Sequence, residues 1–248
     1  LSRVETAGSF TAGMEELKNG VQYYLDDDNN AVLKQPVEVR NAITLPNGVS
    51  LNPQGTSIVI GNGTVLFKGS TLKGPVVIGH HAEVGGILVG TTQKPLVIGD
   101  DAKIHRPQSA VKYSVIGPNT VIDGADISDS TLVPYVRDGS YVPATVDFGT
   151  VLEKGVVAIG GEIGTGARLY DHAVVGPYTK VLNNAEMDAV FFFGTKSDAG
   201  VNFRHNGYMG GVWAMPVTVE GDLFAPASDE RLRQIMRAVI FGKPVKAE

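Results

Sequence analysis

The chain has no cysteine. That excludes disulfides, thiolate metal sites and cysteine nucleophiles. It has no excess of basic residues either: 21 Lys and Arg stand against 26 Asp and Glu, a net charge of −5. A generic grip on nucleic acid or an anionic membrane is therefore not expected. No apolar run approaches the ~20 residues of a membrane-spanning helix, and no signal-peptide pattern is present. The expected location is cytoplasmic. The start at Leu1 rather than Met leads us to expect a processed, trimmed or tagged polypeptide with sequence lost upstream. Aromatic residues are few, at 7%, and there is one Trp. What is abundant is glycine: 31 of 248 residues, against a usual ~7%. Many Gly, many Val and Ile and few rings point to an all-β chain with many turns. Its length allows one large or two small domains and a sizeable core.

The apolar residues recur every six positions. One run is Ile60, Leu66, Leu72, Ile78 and Val84; a second is Ile98, Ile104, Ala110, Ile116 and Ile122. A third is Val151, Val157, Ile163, Leu169, Val175, Val181, Met187 and Phe193. Residues four further on are small or slender, such as Thr64, Ser70, Val76, Ala82, Ala167 and Ala173. A helix needs a period of 3.6 and a half-buried strand a period of 2. Six is a multiple of two, so each hexad reads as a short strand followed by a bend. Three hexads make an 18-residue triangular coil, and stacked coils complete each other's hydrogen bonds. On this frame Val151 lies under Leu169 and Met187. Gly61, Gly79, Gly99, Gly117, Gly164 and Gly176 follow hexad residues, where the chain bends or takes up positive φ. The phase breaks twice. Gly90–Pro95 is expected to hold a bulge or small loop. Residues 128–150, with Pro134 and Pro143, are expected to hold a protruding one.

The ends differ from the middle. Residues 1–48 form a non-repeat β segment, with a hairpin from Val21–Leu25 and Ala31–Leu33 around the acidic turn Asp26–Asn30. Residues 49–227 form the β-helix. Residues 228–248 form a helix and tail: Ser228 caps it, Leu232, Ile235, Met236, Val239 and Ile240 make its apolar stripe, and Gly242 and Pro244 stop it. This helix is expected to cover an open end of the coil.

The hexads resemble those of the hexapeptide-repeat proteins, a superfamily of parallel β-helices. The resemblance implies a left-handed coil, against the general preference for right-handed crossovers. Gly48-Val49, Asn52-Pro53, Ile60–Leu66, Leu72-Lys73-Gly74 and Val77-Ile78-Gly79 are similar to the first coils of the acetyltransferase half of N-acetylglucosamine-1-phosphate uridyltransferases and of sugar-phosphate nucleotidyltransferases. Ala167-Arg168-Leu169, Asn184-Ala185 and the stretch Phe203–Gly210, with its His-x-x-Tyr-x-Gly spacing, continue the likeness over about residues 48–211. It implies that His205 is a general base and that Tyr208 hydrogen-bonds substrate. It implies a sugar phosphate or nucleotide sugar as substrate, and the residues expected to bind it are Asn184 and, as substitutes for the family's phosphate-binding cation, Arg168, Lys196 and Arg204. Acetyl-CoA or another acyl-CoA would be the donor, and the protein a homotrimer.

The sequence departs from that family where charge matters. Tyr170 and Asn183 stand where basic residues are expected, and only 37 residues follow Gly211, where the coenzyme coils would lie. No nucleotide loop of the uridyltransferase half precedes residue 48. These departures raise an alternative: a non-catalytic β-helix that binds carbohydrate or a partner. His80, His81 and His105 invite a metal reading, but their hexad positions do not converge, and no metal is expected. The turn Asp26–Asn30 lacks a spaced calcium ligand set. Phe191–Phe193 is expected at a subunit interface or sugar surface, and Met209, Trp213 and Met215 in core or interface.

Overall fold

The computed structural model describes residues 17–137, 140–171, 173–176, 180–181, 186–192, 202–204, 208–212, 218–220 and 223–224. They fall in two compact units, Leu1–Gly124 and Ala125–Glu248. Both are parallel β-helix, and the hand is left. Among the described residues there is no helix, and none long and apolar enough to cross a membrane. The helix expected from Ser228, the phenylalanine Phe193 and the residues Trp213 and Met215 lie outside the described residues.

The first unit opens with four short strands: β1 (Tyr23–Leu25), β2 (Ala31–Leu33), β3 (Val37–Val39) and β4 (Ile43–Thr44). Four three-sided coils follow. They are β5 (Ser50–Asn52), β6 (Ile58–Ile60) and β7 (Val65–Leu66); β8 (Thr71–Lys73), β9 (Val76–Ile78) and β10 (Glu83–Val84); β11 (Ile87–Val89), β12 (Leu96–Ile98) and β13 (Lys103–His105); and β14 (Ala110–Lys112), β15 (Val115–Ile116) and β16 (Val121–Asp123). Each strand pairs in parallel with the strand one coil on. Leu66, Val84, Ile104 and Ile122 share one register column. Ile60, Ile78, Ile98 and Ile116 share a second, and Leu51, Leu72, Leu88 and Val111 a third. All twelve are at most 1% exposed. The three columns meet as one apolar core, and the small residues Thr64, Ser70 and Ala82 are buried at the bends, as expected.

The N-terminal strands run the other way. β2, β3 and β4 pair antiparallel with β7, β6 and β5 of the first coil. They saturate its open hydrogen-bonding edge, which would otherwise template further pairing. The hairpin β1–β2 forms as the sequence indicates, with Tyr23 opposite Leu33 and Leu25 opposite Ala31. Asp26 serves the turn itself: its carboxylate accepts from the N–H of Asp28 at 3.0 Å and of Asn30 at 2.7 Å.

The hexad frame needs two corrections. Ala110 is not an inward residue; Val111 is, because Leu88 pairs with Val111. The chain goes from Val84 to Leu88 in four residues through Gly85-Gly86, then adds length at Gly90–Pro95. There the N–H of Thr91 donates to the Lys94 carbonyl at 2.9 Å, closing the expected loop. In the third run Leu152 and Ala158, not Val151 and Val157, point inward. That coil has seventeen residues, since Leu152 pairs with Leu169 and Val146 with Ile163. It is shortened at Gly160-Gly161, both at positive φ (68° and 88°), a corner that other residues close only with strain.

The second unit contains β17 (Asp126–Ser128), β18 (Thr131–Val133), β19 (Tyr135–Arg137), β20 (Ser140–Val142) and β21 (Ala144–Val146). Next come β22 (Val151–Leu152), β23 (Val157–Ile159), β24 (Gly161–Ile163), β25 (Arg168–Tyr170), β26 (Val174–Val175) and β27 (Lys180–Val181). Then follow β28 (Glu186–Phe192), β29 (Asn202–Arg204), β30 (Tyr208–Val212), β31 (Thr218–Glu220) and β32 (Leu223–Phe224). Ile163, Leu169, Val175 and Val181 are buried as expected, each at most 1% exposed. The expected protrusion is an antiparallel hairpin, β19–β20, with Val136 opposite Tyr141.

Candidate binding site

The corner that follows β6, β9, β12 and β15 shows why glycines and polar residues alternate there. A Cβ on Gly79 would come within 2.8 Å of Gly99 backbone, and one on Gly99 within 2.8 Å of Gly117 backbone. Close approach of successive coils, not positive φ, therefore requires these glycines. Positive φ falls two residues later, at Gly63 (72°), His81 (54°), Asp101 (56°) and Asn119 (55°). The residue between is a backbone partner. His80 Nδ1 accepts from the N–H of Asn62 at 3.1 Å, and Asp100 Oδ1 accepts from the N–H of His80 at 2.6 Å. His80 is thus held as its Nε2–H tautomer, serving a donor the corner leaves free. Among the described residues no group of three or more His, Asp or Glu is arranged to hold a metal ion.

A denser cluster lies on the side of the first unit formed by β7, β10, β13 and β16. In a strand the residues flanking an inward one point outward. Around Leu66, Val84, Ile104 and Ile122 these are Val65, Glu83, Lys103 and Val121 on one side and Phe67, Gly85, His105 and Asp123 on the other. Glu83 Oε1 accepts from Lys103 Nζ at 3.0 Å, and Glu83 Oε2 from His105 Nε2 at 3.2 Å. A carboxylate only accepts, so Nε2 of His105 carries the proton. Burial pushes the Glu83 carboxyl up, but the hydrogen bonds and charges of Lys103 and His105 outweigh it, and the group titrates below its ordinary value. Arg106 grips Asp123 in a two-pronged pair, with Nη2 to Oδ2 at 2.8 Å. The Phe67 ring reaches over Gly85, where an added Cβ would lie 2.8 Å from Phe67 Cδ2. Its centroid is 5.8 Å from that of His105, at 56°. The missing side chain at Gly85 is what lets the ring span a coil.

A third feature is apolar. On β6, β9, β12 and β15 the outward residues are Val59, Val77, Val97 and Val115, stacked in register. Val77 is 41% and Val115 40% exposed, with Tyr113 at 36% beside them.

The residues singled out by the His-x-x-Tyr-x-Gly motif are only partly placed. Arg168 is exposed on β25. It pairs in register with Val151 on one side and Glu186 on the other, and Glu186 pairs with Tyr208. Arg204 ends β29, opposite Glu220 of β31. His205 lies in the segment between β29 and β30; it, Lys196 and Asn184 are outside the described residues. Phe191 and Phe192 end β28 opposite Val174 and Val175. Of the cluster on the β7–β16 side, sequence reasoning singled out only His105, and for metal. The signal for the rest is the pair of residues flanking each inward one, blurred because Val84 and Ile104 are twenty residues apart, not eighteen.

Comparison with known protein families gives no match, and comparison with curated proteins gives none. The fold is a left-handed parallel β-helix with coils of about eighteen residues, which fits a hexapeptide-repeat family; the likeness to the acetyltransferase half of uridyltransferases gains no support from these comparisons.

Proposed function

We propose that the chain is a self-associating β-helical scaffold, a homotrimer, that presents carbohydrate- or partner-binding faces. The observation that carries this reading is the ladder Val59, Val77, Val97 and Val115, a straight apolar ridge on a flat side with two of its members 40% exposed or more. Covering a half-exposed valine contributes about 1 kcal/mol. The ridge adds Tyr113 and makes a contiguous patch of the kind that marks an association surface. Flat sides of a three-sided coil suit threefold closure. Light scattering at micromolar concentration should report a trimer, and the double substitution Val77→Lys with Val115→Lys a monomer. A monomeric native chain would refute the proposal.

A second reading, a hexapeptide-repeat transferase acting on a sugar phosphate or nucleotide sugar, draws support from register. Arg168, Glu186 and Tyr208 share one column, and His205 falls just before Tyr208. On this reading acetyl-CoA binds, thiol is released with amino-sugar phosphates, and His205→Ala lowers turnover by roughly 10²–10⁴. Absence of heat on titrating acetyl-CoA, with no thiol release, would dismiss it.

A further inference from the structure

We propose that the side of the first unit formed by β7, β10, β13 and β16 is a binding site for a neutral oligosaccharide, with Phe67 as its platform and Glu83, His105 and Asp123 as its polar rim. The inference gives a ligand class to the scaffold reading, but the site lies within one chain and does not need the trimer.

The chemistry narrows the ligand by exclusion. An anion finds no net positive charge in the cluster, because Glu83 stands against Lys103 at 3.0 Å and Asp123 against Arg106 at 2.8 Å. A metal ion needs free carboxylates, and both carboxylates carry cations. A purely apolar ligand would strand the charged groups without water. A neutral sugar fits what remains. Its C–H face packs on a half-buried aromatic ring, and its hydroxyls donate to oxygens with lone pairs left. A carboxylate has about four acceptor sites. Glu83 spends two, on Lys103 and His105, and Asp123 two on Arg106. The side chains of Glu83, His105 and Asp123 are 33%, 37% and 36% exposed, open enough to be reached.

The groups are also fixed before a ligand arrives. His105 is oriented by Glu83, Glu83 by Lys103, and Asp123 by the planar fork of Arg106, so little side-chain freedom is lost on binding. Phe67 and Asp123 lie at the two ends of a row of four coils, with Gly85 and His105 between. At about 4.8 Å per coil the row is some 14 Å long. That exceeds one sugar ring, so the site takes a short chain of them.

The test is saturation-transfer NMR on the full chain with three probes, cellohexaose, chitohexaose and a β-linked galactohexaose, and with oligogalacturonate as an anionic counter-probe. At least one neutral probe should receive saturation, with ring C–H protons strongest. Phe67→Leu, which keeps apolar volume and removes the ring, should weaken that binding about tenfold or more. His105→Ala should also weaken it, while Lys73→Ala, an exposed position on β8, should leave it unchanged. Native-like thermal melting of each variant secures the comparison. No transfer to any neutral probe, equal binding by Phe67→Leu, or binding of oligogalacturonate alone would overturn the proposal. A native trimer that binds none of the neutral probes refutes this site only; a native monomer that binds one refutes the assembly only.

Discussion

At the scale of single residues, glycine does two unlike jobs in this chain. At Gly61 an added Cβ would lie 2.5 Å from the carbonyl of Gly79 and 2.7 Å from the His80 nitrogen. Those atoms are backbone held in the coil ladder and have nowhere to move. Gly61→Ala should therefore cost about 3 kcal/mol, the upper end of ordinary overpacking. At Gly69 nothing lies within 4 Å, but φ is +75°. Gly69→Ala meets only the backbone penalty, about 1–2 kcal/mol. Urea midpoints of the two variants should fall in that order. Equal losses would mean that conformation, not coil-to-coil contact, governs both corners.

At the scale of strands and their side-chain rows, the Glu83–Lys103–His105 group couples three residues of adjacent coils. Glu83 titrates below its ordinary value in the folded chain. Its contribution to stability is thus fully present above the unfolded glutamate pKa of about 4.3 and is lost as pH falls through the lower folded value. Denaturant titrations over the acid range should show the native chain losing stability faster than Glu83→Gln. Parallel pH curves for the two would show that the carboxylate is no better off folded than unfolded. The hairpin β19–β20 follows different rules. Val136 and Tyr141 face each other across it at 66% and 45% exposure, and its base rests against Gly160, whose Cβ position is 3.1 Å from Tyr135 Cβ. A two-stranded ribbon has little stability of its own, so its anchor is the coil beneath.

At the scale of the whole molecule, assembly and stability are one equilibrium. If the native state is a trimer and the unfolded state is not, Tm rises with protein concentration. Differential scanning calorimetry over a hundredfold concentration range should show that rise. The Val77→Lys, Val115→Lys double variant should lack it, with a Tm close to the native value at the lowest concentration. A native Tm independent of concentration contradicts the assembly.

The sequence by itself determined the class of fold. Leu66, Val84, Ile104 and Ile122 are all buried, and the period that marks them arises because each side of a coil must turn one apolar residue inward. Local chemistry also announced the hairpin β1–β2 and the insertions at Gly90–Pro95 and 128–150. What the period could not decide is which of two adjacent residues turns inward when a coil gains or loses a residue. Val111 displaces Ala110, and Leu152 displaces Val151, because register is set by hydrogen bonds to the neighbouring coil rather than by counting along the chain. The antiparallel cap on β5, β6 and β7 was equally hidden, since its strands carry no hexad. The Phe67–Gly85–His105–Asp123 row, with Glu83 reaching His105 from the other flank, exists only once coils of unequal length are stacked. Residues 67 to 123 meet through that stacking, and no local pattern brings them together.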